Sequence, residues 1–465
     1  MKKIFKKTFV SCAALLLVLA SIACSKKEGN TEKEKADSIE VLEYKNLVLG
    51  QTGKDLNVKI KLLSHKTDML QADYPGKNWQ AYLDEFNSMY PGITVEIEGI
   101  TTYADTALMR LQGGAWGDIM MLPAIDLKEL ESYFIPFGSL EDMKKEVRFA
   151  NRWLFKDKVY GIPYMATAQG VLYNKRVFEQ AGITSLPKNP ADFIAALKQI
   201  KAKTNAIPLY TNYAASWTMG AWDQYIAGSA TGNPNYQNNL LLHEKNPFRN
   251  YGDGTHAYAI YKVLYDAVAE GLIEDDYTTT DWEGSKGMMN RGEIATMVLG
   301  SWAFSQMQSA GPNREDIGYM SFPVTIGDKQ FASSGPDYCY GINAKISSEK
   351  KLASMIFIKW LTEKSNFSYN EGGIPIAVKD NNFPDLYKAF EGIEFIPDNP
   401  ALAGEEDLLN KLNADSELNI NNGGNAKIQA IIEHAFLKDK SFDEIMDEWN
   451  QAWTAAQERN AVYIN

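Results

Sequence analysis

The stretch Trp79-Gln80-Ala81-Tyr82-Leu83-Asp84-Glu85-Phe86-Asn87-Ser88-Met89-Tyr90-Pro91-Gly92-Ile93-Thr94-Val95-Glu96-Ile97 carries two periodicities divided by a stop signal. Trp79, Tyr82, Leu83, Phe86 and Tyr90 recur at the spacing of one helix face, and Pro91-Gly92 cannot continue a helix. Ile93, Val95 and Ile97 then alternate with polar residues, the period of a strand. Upstream, Val58, Ile60 and Leu62 alternate with Lys59 and Lys61 between Asn57 and Leu63. The whole reads as strand, helix, strand.

Working outward, the pattern predicts a helix over Tyr103 to Leu111, ending near Gly113-Gly114, and a short buried strand over Asp118 to Leu122, stopped by Pro123. Strands alternating with helices imply an α/β sheet covered by helices. Beyond residue 190 the chain is more helical. Ala191 to Lys203, Tyr258 to Glu270, Lys350 to Thr362, Ala426 to Leu437 and Phe442 to Glu458 are amphipathic, with short strands at Ile207 to Thr211, Ile294 to Leu299 and Ile317 to Phe322. No repeat of solenoid period is visible. A chain of 465 residues exceeds what one hydrophobic core organises, so two lobes are expected.

The N-terminus reads as an export address. Lys2, Lys3, Lys6 and Lys7 precede an apolar run from Phe9 to Ala20, and Ser21-Ile22-Ala23-Cys24 supplies small residues before a cysteine. The run is shorter than the ~20 residues that span a bilayer. The site resembles the bacterial lipobox, with Ser21 where Leu is usual; this implies a signal peptide over 1–23 and a diacylglycerol on Cys24. Residues 24–55 are expected to form a tether, polar to about Ser38, with apolar side chains from Val41 to Leu49 that dock on the body.

The formal charge of −12 becomes −16 without the four signal lysines. So acidic a chain disfavours nucleic acid as a partner. Cys339 is then the one ordinary cysteine, expected as a buried thiol between Tyr338 and Tyr340, and no internal disulfide can form.

Several separated blocks resemble one family, the extracellular solute-binding proteins of ABC importers, maltose-binding type. They are Phe86 to Val95, Gly117-Asp118-Ile119, Tyr160-Gly161-Ile162-Pro163 with Leu172-Tyr173-Asn174-Lys175 and Phe178 to Gly182, Gly292 to Met297 with Gly300-Ser301-Trp302, and Gly372-Gly373-Ile374-Pro375. The resemblance implies a two-lobed α/β, periplasmic-binding-protein-like type II fold with a ligand cleft between the lobes. It implies lobe 1 from 56–165 and 343–380, and lobe 2 from 171–335 and 385–465. Crossings are expected near Met165 to Gly170, Ser334 to Ile342 and Ala377 to Pro384. It further implies a monomer on the outer face of the cytoplasmic membrane, held by its lipid, that passes a sugar or oligosaccharide to permease subunits with no cofactor and no metal.

In open α/β sheets the ligand sits beyond the carboxyl ends of the strands. Loops there hold Trp217, Trp222, Asp223, Trp302, Asp337, Tyr338, His65 and Thr167. Flat aromatic faces with polar acceptors at their edges suit a sugar, which has an apolar face and a rim of hydroxyls. Trp302 is expected to stack on the ligand, by resemblance of its Gly-Ser-Trp context. One of Trp217 and Trp222 is expected to be structural, and Trp116 and Trp282 stay undecided. Asp118 either reaches the cleft or caps its segment. Asp223 and Asp337 either accept hydroxyls or brace loops; His65 is either a ligand contact or a solvated loop residue.

The rival class is a secreted glycoside hydrolase, whose two carboxylates are placed by three-dimensional separation. The sequence has no His-Glu-x-x-His, no Gly-x-Ser-x-Gly, no phosphate-binding loop and no dinucleotide fingerprint.

Overall fold

The structure is a computed structural model that describes residues 43–74, 76–101 and 103–464. The expected signal at 1–23, the lipidation site Cys24 and most of the expected tether lie outside the described residues.

Along the chain the principal strands are β1 (Val58–Ser64), β2 (Ile93–Gly99), β3 (Ile119–Met121), β4 (Ile162–Pro163), β5 (Ala166–Asn174) and β6 (Ile207–Leu209). They continue as β7 (Ile294–Gly300), β8 (Ile317–Ser321), β9 (Phe331–Pro336), β10 (Cys339–Ile342) and β11 (Glu394–Ile396). One sheet has the order β2-β1-β3-β10-β4, and a second runs β11-β9-β5-β7-β6, with β8 also paired to β5. Each sheet anchors one lobe. The opening stretch of sequence becomes helix α1 (Trp79–Met89) and β2, and β2 lies parallel to β1.

Asn78 starts α1 because its side chain accepts the Ala81 amide at 3.0 Å, satisfying one of the unpaired N–H groups of the first turn. The helix buries Trp79, Tyr82 and Phe86. Phe86 meets Phe357 and Trp360 of helix α2 (Ser348–Glu363) at ring distances of 5.0 and 5.4 Å, locking two chain segments far apart in sequence onto one sheet face.

Three segments pass between the sheets. Tyr164 and Met165 join β4 to β5, and Asp337 and Tyr338 join β9 to β10, so the two sheets are connected by adjacent antiparallel strands. The third leaves Ile376 and reaches β11 through residues 377–393. Arg148 fastens its start. Its Nη1 donates to the carbonyls of Pro375, Ala377 and Asp380 at 3.1, 2.6 and 2.9 Å, and its Nη2 to that of Val378 at 3.1 Å.

Part of the expected tether belongs to the body. Tyr44 is fully buried; its amide donates to the Phe137 carbonyl at 2.9 Å and the Lys359 ammonium sits 4.0 Å from its ring centre. The Gly50 amide donates to Tyr90 Oη at 2.7 Å. The boundary expected at residue 55 therefore lies too late, because the apolar run that begins at Val41 finds a surface to cover.

Arg148→Met keeps the aliphatic stem but strips the carbonyls of a charged donor. It should lower stability by about 1–3 kcal/mol in urea titration; an unchanged midpoint would show that this clamp contributes nothing.

Candidate ligand-binding site

The carboxyl end of β1 leads into His65, whose loop is pinned from below: Trp79 Nε1 donates to the Lys66 carbonyl at 3.2 Å. Lys66 Nζ reaches Glu371 at 3.0 Å, and Tyr74 Oη donates to the same carboxylate at 2.9 Å, so this pair adds little net charge. The His65 ring lies 4.7 Å from Tyr338, 5.2 Å from Tyr164 and 5.9 Å from Tyr103. Tyr164 Oη donates to Asp337 Oδ2 at 2.6 Å, and His65 Nε2 stands 3.8 Å from that oxygen. Burial pushes the imidazole down to about 4, against the opposing pull of Asp337. His65 is thus neutral at physiological pH, facing a half-exposed carboxylate and a wall of phenols.

The second group stands at the carboxyl ends of β6 and β7. Trp302 follows Gly300, the last residue of β7. Trp217 follows Ser216, whose φ of 61° and ψ of −62° are strained for a side-chain-bearing residue. Trp282 opens helix α3 of the described set (Trp282–Arg291; the label follows α1 and α2), capped by Asp281, which accepts the Glu283 and Gly284 amides at 3.0 Å. The three indoles meet at centroid distances of 5.4 Å (Trp217–Trp282), 5.7 Å (Trp217–Trp302) and 5.8 Å (Trp282–Trp302), inclined by 83°, 46° and 58°. Trp217 keeps 46% of its surface exposed, far more than an indole in a core. Such a corner offers apolar faces in more than one direction.

A ladder of strand pairs links the two groups. Gly300 is opposite Gln169, Gly335 opposite Thr167, and Pro336 opposite Ala166, one residue before Asp337. Thr167 lies buried within this ladder.

Three expected residues stand elsewhere. Trp222 is buried at 3% exposure, edge-on to Phe322 at 6.1 Å, within the second lobe's core. Asp223 is fully buried and occupied: Lys427 Nζ reaches it at 2.5 Å, Tyr261 Oη at 2.7 Å and the Asn421 amide at 2.9 Å. The turn after Trp217 rotates these two inward, which spacing alone did not reveal. Asp118 precedes β3, at the end of the sheet opposite the cleft, where it accepts the Lys61 amide at 2.8 Å and the Lys350 ammonium at 3.0 Å. It braces its segment, the other of the two roles considered for it.

Sequence reasoning left Trp282 undecided and passed over Tyr103 and Tyr164. An Asp-Trp at a helix start was the available signal for the first. Nothing local marked the tyrosines, which join the site through distant pairing.

Residues 72–366 match the sequence profile of the bacterial extracellular solute-binding proteins. The chain belongs to this family. Among solved structures, this solute-binding protein is similar to the manno-oligosaccharide specific BlMnBP2 of Bifidobacterium animalis subsp. lactis, in complex with mannotriose. The two are 52% identical over 90% of this chain and 99% of that one, with a TM-score of 0.82. It is equally similar to BlMnBP1, a binding protein of an ABC transporter from the same organism, in complex with mannobiose: 52% identity, the same coverage and a TM-score of 0.83. A curated relative, the multiple sugar-binding protein of Streptococcus mutans, is 24% identical over 404 residues, 82% of this chain and 85% of the relative. The two-lobed type II fold expected from sequence is the fold of these structures. No helix among the described residues is long and apolar enough to cross a membrane.

The depressed His65 pKa makes this solute-binding protein lose stability on acidification. Between about pH 6.5 and pH 4 the unfolded chain binds a proton that the folded site refuses. His65→Gln should therefore flatten the fall in melting temperature over that window relative to the parent; superimposable profiles would show that the imidazole is not held neutral.

Proposed function

We propose that this protein is the receptor of an ABC importer for a short, mannose-built oligosaccharide, held between the His65–Tyr164–Asp337–Tyr338 group and the Trp217–Trp282–Trp302 corner. The observation that carries the reading is the 52% identity, over almost the full length of each, to two manno-oligosaccharide binding proteins. The indole corner supports it physically, since a pyranose presents C–H faces that cover aromatic area while its hydroxyls reach acceptors such as Asp337.

In this reading, lobe 1 comprises 56–165 and 343–380 together with the docked residues from 43, and lobe 2 comprises 171–335 and 385–465. Sugar touching both lobes favours the closed arrangement by the contacts made only there. The closed monomer then docks on membrane permease subunits and releases its ligand unaltered. A signal peptide over 1–23 and a lipid on Cys24 hold it at the outer face of the cytoplasmic membrane. Mass spectrometry of detergent-extracted protein should find a diacylglyceryl-cysteine as the first residue; an unmodified N-terminus elsewhere would remove the anchor.

The binding test is calorimetric titration with mannobiose and mannotriose, beside cellotriose and maltotriose as controls. Manno-oligosaccharides should bind best. Trp302→Ala should weaken binding by about 1–3 kcal/mol through lost stacking area, with little change in melting temperature without ligand. Absence of binding, or new reducing ends after incubation, would overturn the reading and favour the hydrolase.

A further inference from the structure

Buried amide side chains in the second lobe are, as a rule, paired. Asn174 accepts the Val177 amide at 3.0 Å and donates to the Met289 carbonyl at 2.9 Å. Asn413 accepts from and donates to Ile420 at 2.7 and 2.9 Å. Two amides bordering the indole corner break this rule. Gln169 is 9% exposed with its Oε1 unpartnered, and Asn212 is 1% exposed with both Oδ1 and Nδ2 unpartnered. A buried polar group without a partner costs stability, so a chain that keeps two of them beside one cleft gains something else from them.

Their placement says what. Gln169 is opposite Gly300, and a Cβ built on that glycine would lie 2.6 Å from Trp302 Nε1 and 3.1 Å from Gln169 Oε1. The amide and the indole edge therefore flank the same small space, which only a glycine leaves free. Asn212 sits at a φ of 60° in the loop that follows β6. Thr218 Oγ1 donates to its carbonyl at 2.8 Å, beside Trp217, while the Ala214 amide donates to Thr280 Oγ1 at 2.8 Å, beside the turn that carries Trp282. Each unpaired amide thus stands at the foot of one or two of the indoles.

We propose that Gln169 and Asn212 are specificity-determining residues of the cleft, reading hydroxyls of the sugar that the indoles stack against. This rests on the sugar reading given above. A carboxamide presents one donor and one acceptor side by side, the complement of a vicinal diol, in which one hydroxyl accepts while its neighbour donates. In the unliganded protein these amides carry a desolvation cost, and the sugar relieves it. The same logic disfavours ligands lacking the diol, which would leave the amides buried and unpaired.

The consequence separates reading from scaffolding. Gln169→Met preserves length and removes the polar atoms; Asn212→Gly removes the amide at a backbone conformation that glycine adopts freely. Both variants and the parent are titrated with mannotriose, and their melting temperatures are measured without ligand. At least about tenfold weaker binding is expected in each variant, with the unliganded melting temperature of Gln169→Met unchanged or raised. Binding within twofold of the parent overturns the assignment. So does weaker binding accompanied in both variants by a lower melting temperature, which is how structural amides behave. If the parent itself fails to bind mannotriose, the sugar reading falls and the assignment with it; if the parent binds and the variants match it, only the assignment falls.

Discussion

The antiparallel ladder between β5 and β9 is the constraint from which the rest follows. Both strands run out of the second sheet and, within two residues, into the first, as Tyr164-Met165 and Asp337-Tyr338. Because pairing register fixes which side chains share a face, one ladder sets the position of Gln169 beside Trp302 and of Asp337 beside Tyr164. A slip of one residue would send every one of these groups to the opposite face. The two lobes can move about such connections, yet each lobe's share of the site stays registered to its own sheet.

The chemistry of the site is that of neutral recognition. His65 is uncharged near neutral pH, Lys66 and Glu371 cancel each other, and Asp337 shares an oxygen with Tyr164. Opposite them stand three indoles at mutual inclinations of 46° to 83°. Such a cleft gains from covering apolar faces and from pairing hydroxyls, and has little to offer a multiply charged solute. The charged groups that sequence inspection had placed there, Asp118 and Asp223, serve instead to brace backbone and core through Lys350 and Lys427.

The first β-α-β unit was legible because its signals are local: alternation in β1 and β2, helical spacing in α1, and Pro91-Gly92 between them. The later amphipathic helices were legible for the same reason. The strand β5, Ala166-Thr167-Ala168-Gln169-Gly170-Val171-Leu172-Tyr173-Asn174, was not read as one, since its small and polar residues lack alternation when both faces are covered. Trp302 was readable from Gly-Ser-Trp, whereas Trp222 and Asp223 were misplaced. They follow Trp217 by five and six residues, and a tight helical turn decides which of them points outward. Arg148 escaped notice because its carbonyl partners lie more than two hundred residues away.

The docked segment at 43–55 carries a practical corollary. Gly53 packs so closely that a Cβ there would come within 2.6 Å of Ile356 Cδ1, and Tyr44 fills space beneath Lys359. Trimming the chain to Leu56, where the alternating pattern first becomes obvious, would carve a hollow under α2 and uncover apolar surface that invites clumping. A soluble derivative that retains its native packing starts ahead of Glu43.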